Sequence, residues 1–341
     1  MRVAMYYNNR DVRLQELEMP GICTGELLIR AEACGICGSD VMEWYRIKKA
    51  PLVLGHEVTG QVVQVGQGVK GYKEGDRVFV SHHVPCNTCH YCLSGHTSVC
   101  DTLRSTNFDP GGFSEYIRIP EINVNRGVYL LPDDLSYEDG TFIEPLACVL
   151  RGFNLVGMKA GQSLLIIGCG ITGLLQIKLA CALGASRIFA VDINEFRLNV
   201  AKKFGAHTIM HATEDVPKVI RRYNDDRLAD LVIVSTGSPS VLAQAWQSVD
   251  RGGTILLFAP TEPGLSLPVP FYELWRNEVT ITTSYAANPA EIKTAIELLR
   301  ERRVQVQPMI THRLGLADTG EGFRLVASAQ DSIKVIIEPQ R

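Results

Sequence analysis

Several absences narrow the field. No long run is apolar throughout. The nearest case, Ser163 to Ser186 (SLLIIGCGITGLLQIKLACALGAS), has glycines near its start and is interrupted by Gln176 and Lys178. That argues against a membrane span. The leading residues, MRVAMYYNNRDVRLQ, turn polar too early for a secretory leader. There is no excess of one charge. The formal net charge is -3, so nothing points to nucleic acid or another polyanion. Internal repeats and low-complexity segments are missing too, which sets aside a repeat array. The expectation is a soluble, cytoplasmic protein without a membrane or nucleic-acid partner.

Cysteine is not scarce. Ten are present, at positions 23, 34, 37, 86, 89, 92, 100, 148, 169 and 181. Without an export signal, clustered cysteines in an enzyme-sized chain bind metal more often than they form disulfides. Cys86-x-x-Cys89-x-x-Cys92-x7-Cys100 is the most specific local pattern. Two x-x steps let the backbone wrap one ion, and a fourth thiolate closes a tetrahedron. An all-cysteine set with no open position is a structural zinc site. Iron–sulfur ligation is the competing reading. His82, His83, His90 and His96 nearby are read as surface or packing histidines, because the cysteines already complete a site.

At 341 residues, 46% of them hydrophobic, the chain can bury about two domains. Up to about residue 150 it is rich in valine and glycine, as in VLGHEVTGQVVQVGQGVKGYKEGDRVFV (53–80). Short β-branched runs split by glycines predict short strands and tight turns in a barrel-like domain. Beyond that the pattern alternates. Strands are expected at 163–167, 187–192, 229–237, 252–260 and 279–284, with helices over about 172–183, 195–204 and 240–249. Such alternation means a parallel sheet with right-handed crossovers. A helix over about 290–303 and a strand at 334–339 are placed with the first domain. The boundaries follow: 1–152 with 290–341 returning to it, and 153–289.

Gly168-Cys169-Gly170-Ile171-Thr172-Gly173 is a G-x-G-x-x-G that follows the strand SLLII and opens a helix. Gly168 serves the tight turn, and Gly170 lets a pyrophosphate approach the backbone at the positive helix end. Gly173 permits close helix–strand packing. Asp192 lies nineteen residues past Gly173, at the end of the next strand. It would accept hydrogen bonds from the adenosine ribose hydroxyls and repel a 2′-phosphate, favouring NAD over NADP. Arg197 stands near enough to touch the adenosine end, which tempers that preference.

A second, open metal site is suggested by Cys37, His56, Glu57 and Glu144. One thiolate, one imidazole and two carboxylates contain the composition of a catalytic zinc site, three protein ligands plus water. Spacing alone leaves this assignment open.

Taken together, these residues resemble the zinc-containing medium-chain dehydrogenases, in the branch with sorbitol, butanediol and threonine dehydrogenases. The matching pieces are CGICGSD (34–40), GHEVTGQVVQVG (55–66), GDRV (75–78), the four cysteines, GGFSEY (111–116), EPLA (144–147), GCGITG (168–173), VSTGSP (234–239, with Thr236 on the cofactor side) and GGTILL (252–257). The resemblance implies a GroES-like catalytic domain and a Rossmann domain with the active site in the cleft between them. It implies two zinc ions per chain. Cys37 and His56 match catalytic ligands, and Glu57 and Glu144 match two glutamates of which either ligates directly. Ser39 matches the hydroxyl that receives the substrate proton. Asp40 matches a carboxylate that fixes a ligand ring by hydrogen bonding. Met42 departs from the pattern, since many relatives carry a proton-relaying histidine there. Glu43 or water is the expected substitute.

The activity implied is hydride transfer between a secondary alcohol (a polyol, cyclitol or sugar derivative) and NAD. The alternatives are a biosynthetic ketone reductase, a threonine- or butanediol-type dehydrogenase, and a non-catalytic relative. The last should have lost a ligand or the serine, yet Cys37, Ser39, His56 and Glu57 are all present. Trp44, Tyr45, Arg46, Lys48, Lys49, Phe108, Glu115, Arg151 and Tyr285 are candidates for the substrate wall. A homodimer or homotetramer is expected, with the sheet edge near 271–285 pairing across the interface.

Overall fold

Runs of β-branched residues broken by glycine set the architecture of the amino-terminal third. The computed structural model describes residues 1–341. Its chain divides into two units, Met1–Ala147 with Ala286–Arg341, and Cys148–Tyr285.

In the first unit the strand Leu27–Gly35 is the organising element. It pairs antiparallel with Glu57–Val65 on one side and with Lys334–Glu338 on the other. The register places Gly35 opposite Glu57 and also opposite Ile336. The sheet runs in the order Ile310–Gly315, Lys334–Glu338, Leu27–Gly35, Glu57–Val65, Arg77–Val80, Val128–Leu130, and Tyr116–Ile119 also pairs with Leu27–Gly35. Register shifts at Leu28/Ile29 and Ala31/Ala33 mark bulges, which bend a sheet and raise its twist. A side chain at Gly60 would put its Cβ 2.2 Å from the Arg30 carbonyl oxygen, so only glycine lets these strands approach there. A three-stranded sheet, Asp11–Glu16, Arg2–Asn8 and Leu52–Val53, accompanies it. Val3, Tyr6, Leu27, Ile29, Phe113, Ile117, Phe323 and Ile337 are among the residues that fill one continuous core.

The second unit is a six-stranded parallel sheet, ordered Thr208–His211, Arg187–Asp192, Ser163–Ile167, Ala229–Val234, Val249–Leu257, Thr280–Thr283. Numbered along the chain that order is 3-2-1-4-5-6, the doubly wound dinucleotide-binding arrangement. SLLII is buried at every position, which explains why it reads as an unbroken apolar run rather than an alternating one.

The crossover helices are Ile171–Ala182, Glu195–Lys203, Val216–Tyr223 and Leu242–Ser248. The third of these, eight residues long, and the four-residue strand Thr208–His211 are too short to be read from sequence. The helix expected from 240 begins at Leu242, because Pro239–Val241 is a 3-10 turn. The strand expected at 252–260 is Val249–Leu257. Phe271–Arg276, read as part of a sheet edge, is helical, and only Thr280–Thr283 forms the edge strand. In the carboxy-terminal segment, Asn288 caps the helix Pro289–Arg300 and Glu291 completes the capping box. No helix is long and apolar enough to cross a membrane.

Gly173 holds the first crossover helix against its strand. A Cβ there would lie 2.0 Å from the Gly168 carbonyl oxygen. Gly173→Ala should destabilise the chain by about 1–3 kcal/mol through overpacking. A drop in the urea midpoint tests this, and an unchanged midpoint would mean that the loop relaxes freely.

Candidate active site and metal centres

The turn after Leu27–Gly35 gathers the first group of functional side chains. Asp40 Oδ2 accepts the Cys37 backbone N–H at 3.0 Å, and the Asp40 N–H donates to the Cys37 carbonyl at 3.0 Å. Two reciprocal bonds thus close the Cys37–Asp40 turn. Asp40 is fully buried. Its Oδ1 lies 3.4 Å from His56 Nδ1 and 3.6 Å from the Arg46 guanidinium. Burial pushes the Asp40 carboxyl up, but the facing His56 and Arg46 charges outweigh it and hold it below the usual range. Burial likewise pulls the His56 ring down, while Asp40 and Cys37 more than offset it and leave it well above its ordinary value. With Nδ1 facing the carboxylate, Nε2 is the ring nitrogen left for a ligand.

Cys37, His56 and Glu57 each offer a ligand atom, and these atoms all lie within 4.8 Å of one another. Glu144, in the first turn of the helix Ile143–Val156, is not one of these three. Glu57 is buried and forms an ion pair with Lys334, which is wholly buried. Its other oxygen, Oε1, has no hydrogen-bond partner. A soft thiolate, an imidazole and an incompletely satisfied buried carboxylate are a donor set that fits zinc with a position left open.

Ser39 shares the turn. Arg46 donates to its carbonyl at 2.9 Å and to its Oγ at 3.0 Å. Glu43, named as a substitute relay, instead accepts the Asn9 backbone N–H at 3.2 Å. Met42 is half-buried and its carbonyl starts the short helix Glu43–Arg46. His82 and His83, expected to be surface or packing residues, are not among the candidate ligands. They are half-buried and adjoin the site, with His82 4.8 Å from the His56 ring and 3.8 Å from the His83 ring, centre to centre.

Of the remaining wall candidates, Glu115 is engaged with Arg2 at 2.7 Å and Phe108 is buried beside His82. Arg151 is buried, whereas Tyr45, Lys48, Lys49 and Tyr285 are exposed and Trp44 is half-buried. Sequence reasoning missed Lys334 altogether. Its one signal is a charged residue directly before the apolar run Val335–Ile337.

The four-cysteine lobe has a different construction. All four Sγ atoms lie within 4.8 Å of one another, and Cys86 and Cys92 are 3.9 Å apart. A tetrahedron with ~2.3 Å zinc–sulfur bonds has an edge of ~3.8 Å. So tight a set fits one ion, whereas thiolates on separate irons of a cluster stand farther apart. The amides of Thr88 and Cys89 donate to Cys86 Sγ at 3.4 and 3.2 Å, and the Cys86 amide donates to Cys100 Sγ at 3.4 Å. The bonds from Thr88 and Cys89 pull the Cys86 thiol down to about 5. Asn87, at φ +63°, makes the bend that aims these amides at the sulfur.

In the second unit, Gly168 adopts φ +100°, which favours glycine, and Gly170 caps the helix Ile171–Ala182 without a side chain in the way. The nearest atom to a Cβ at Gly170 would be an Arg197 guanidinium nitrogen at 3.8 Å. Ile171 and Thr172 are half-buried in the helix's first turn, and Thr236 packs beside Gly168. Asp192 accepts the Cys169 amide at 2.7 Å on one oxygen and the Asn194 amide at 2.9 Å on the other. Each oxygen retains a lone pair for a further donor. Arg197 Nε is buried without a partner.

Two family models match the chain: the alcohol dehydrogenase GroES-like domain over residues 24–133, and the zinc-binding dehydrogenase over 172–301. The chain is 32% identical to sorbitol dehydrogenase of Bacillus subtilis, over all of this chain and 98% of that protein. It is 35% identical to L-threonine 3-dehydrogenase of Bacillus velezensis, over 96% of this chain and 95% of that one. Among solved structures it is similar to an alcohol dehydrogenase from Thermus sp. ATN1, with a TM-score of 0.89 and 29% identity over 99% of both chains. The chain belongs to the zinc-dependent medium-chain alcohol dehydrogenases, a family of oxidoreductases.

The histidine pair yields a pH prediction. Burial lowers His83 to about 4, helped by the charges of His56, Arg46 and Lys49, against 6.5 in the unfolded chain. Between those values the unfolded state binds more protons, so stability falls as pH drops from 6.5 toward 4. His83→Gln should flatten this part of the stability–pH curve. An unchanged slope in pH-resolved denaturation would refute the assignment.

Proposed function

We propose that this enzyme oxidises a secondary alcohol of a polar, polyol-like substrate, using zinc and NAD. The carrying observation is the Cys37, His56 and Glu57 set with the Ser39 hydroxyl on the same turn. Zinc at that set would polarise the substrate oxygen, and NAD would take the hydride from the carbinol carbon. Cys37 and His56 hold the metal, with Glu57 as the nearby carboxylate. Asp40 fixes the His56 ring. Ser39 receives the substrate proton: Arg46 occupies one lone pair of Oγ, which leaves the hydroxyl hydrogen and the second lone pair for the substrate. With Met42 in place of a relaying histidine and the exposed Glu43 turned to the Asn9 amide, the proton leaves Ser39 through water, directly or by way of the free oxygen of Glu43. The Cys86, Cys89, Cys92 and Cys100 lobe holds the structural ion.

Gly168 to Gly173 cradle the pyrophosphate, and Asp192, fixed by two amides, takes the ribose hydroxyls. Similarity to a sorbitol dehydrogenase supports the polyol assignment. The edge strand Thr280–Thr283 and the exposed Phe271, Tyr272 and Trp275 support a homo-oligomer, since such aromatics are enriched at interfaces. The absence of any disulfide among ten cysteines supports the cytoplasm.

The test is metal analysis together with NAD reduction over polyols, diols, cyclitols and hydroxy-amino acids. Wild type should carry two zinc ions and turn over a polyol, whereas Cys37→Ala should keep one ion and lose turnover by at least about 10³-fold. Wild-type turnover surviving with a single ion per chain would sink the two-site assignment, and preference for threonine would move the substrate to hydroxy-amino acids. For the cofactor, Asp192→Ser should narrow the NAD-over-NADP preference at least about tenfold in kcat/KM. An unchanged ratio would remove Asp192 from that role.

A further inference from the structure

We propose that Lys334 is a positioning residue of the open metal site: by holding one oxygen of Glu57 and countering its charge, it weakens and thereby sets the site's grip on zinc. This rests on the reading that Cys37, His56 and Glu57 hold that ion.

A wholly buried lysine is rare, and here it has a single carboxylate partner, itself buried. The pair is built in by the fold. Gly35 stands between the strands that carry its members, facing Glu57 across one pairing and Ile336, two residues past Lys334, across the other. Any side chain at Gly35 would put its Cβ 2.3 Å from Glu57 Oε2 and 2.4 Å from Lys334 Nζ. Glycine therefore reserves the space in which the two charges meet. The Phe142 ring, 5.3 Å from Nζ, closes the other side with its electron-rich face.

Two consequences follow. Glu57 Oε2 is committed to Lys334, so only Oε1 remains for an ion. The lysine also places a positive charge beside a site meant for a dication, and repulsion between buried charges is weakly screened. Both effects loosen the third ligand. Lys334 also makes the metal-free site self-sufficient, because Glu57 stays paired when no ion is present.

The experiment compares wild type with Lys334→Met, Lys334→Gln and Lys334→Arg, using zinc in competition with a chromophoric chelator and thermal denaturation with and without zinc. The four-cysteine site is the internal control, and its occupancy reports that the fold is intact. Lys334→Met and Lys334→Gln should bind zinc at the open site at least about tenfold tighter. Their zinc-induced rise in Tm should exceed that of wild type, because the metal-free variants carry an unpaired buried carboxylate. Lys334→Arg should stay within a few-fold of wild type. Equal or weaker affinity in the Gln variant, with the four-cysteine site full, overturns the proposal, and this variant decides if the Met variant does not fold. If Cys37→Ala leaves the weaker zinc class in place, the assignment of the open site fails instead.

Discussion

The Asp40 carboxylate is the constraint on which the candidate active site depends. A wholly buried anion needs partners, and each partner here is a functional group or its support. The Cys37 amide satisfies one oxygen and so shapes the turn that presents the thiol. His56 and Arg46 face the other. His56 is thereby oriented with its far nitrogen free, and Arg46 is drawn to where it can hold Ser39. One charge sets a thiol, a ring and a hydroxyl, so Asp40→Asn would disturb all three together rather than delete a single contact.

The two cysteine-containing centres solve opposite problems. The four-cysteine lobe has four soft candidate ligands, amides aimed at sulfur and little hydrophobic support, so an ion bound there would itself be the core of that lobe. The Cys37 set has mixed ligands, each tied to a second group: His56 to Asp40, Glu57 to Lys334, and the Cys37 backbone to Asp40. Such tethering suits a centre that must keep its shape while one position exchanges.

Legibility in the sequence followed the range of the interactions. Most of the parallel sheet was readable because its central strands are local apolar runs, each followed by a turn and a helix-length segment. SLLII with the glycines at 168, 170 and 173 showed strand, turn and helix within eleven residues. Thr208–His211 and Val216–Tyr223 were too short to stand out. In the first unit, Cys37, His56 and Glu57 could be named but not joined, because their proximity depends on strand pairing. The Glu57–Lys334 contact spans 277 residues, and no pattern announces it. Arg46 read only as one of several basic residues, since its role comes from a short helix that folds it back over Ser39. His82 and His83 pack as ring neighbours, but that His82 packs against His56 could not be read from sequence, because it too depends on strand pairing.

The discontinuity of the first unit bears on how the chain is made. Residues 286–341 supply its last strands, including the one that carries Lys334. A ribosome releases the whole of the second unit before it releases that strand. The nucleotide-binding sheet, with its sequential parallel strands, can therefore close during synthesis. Before the strand carrying Lys334 emerges, the amino-terminal sheet has Tyr116–Ile119 beside Leu27–Arg30 but leaves Cys34 and Gly35 unpaired on that side, and Glu57 lacks its counter-charge. The candidate metal site thus gains its buried counter-charge only after the nucleotide-binding unit has been made.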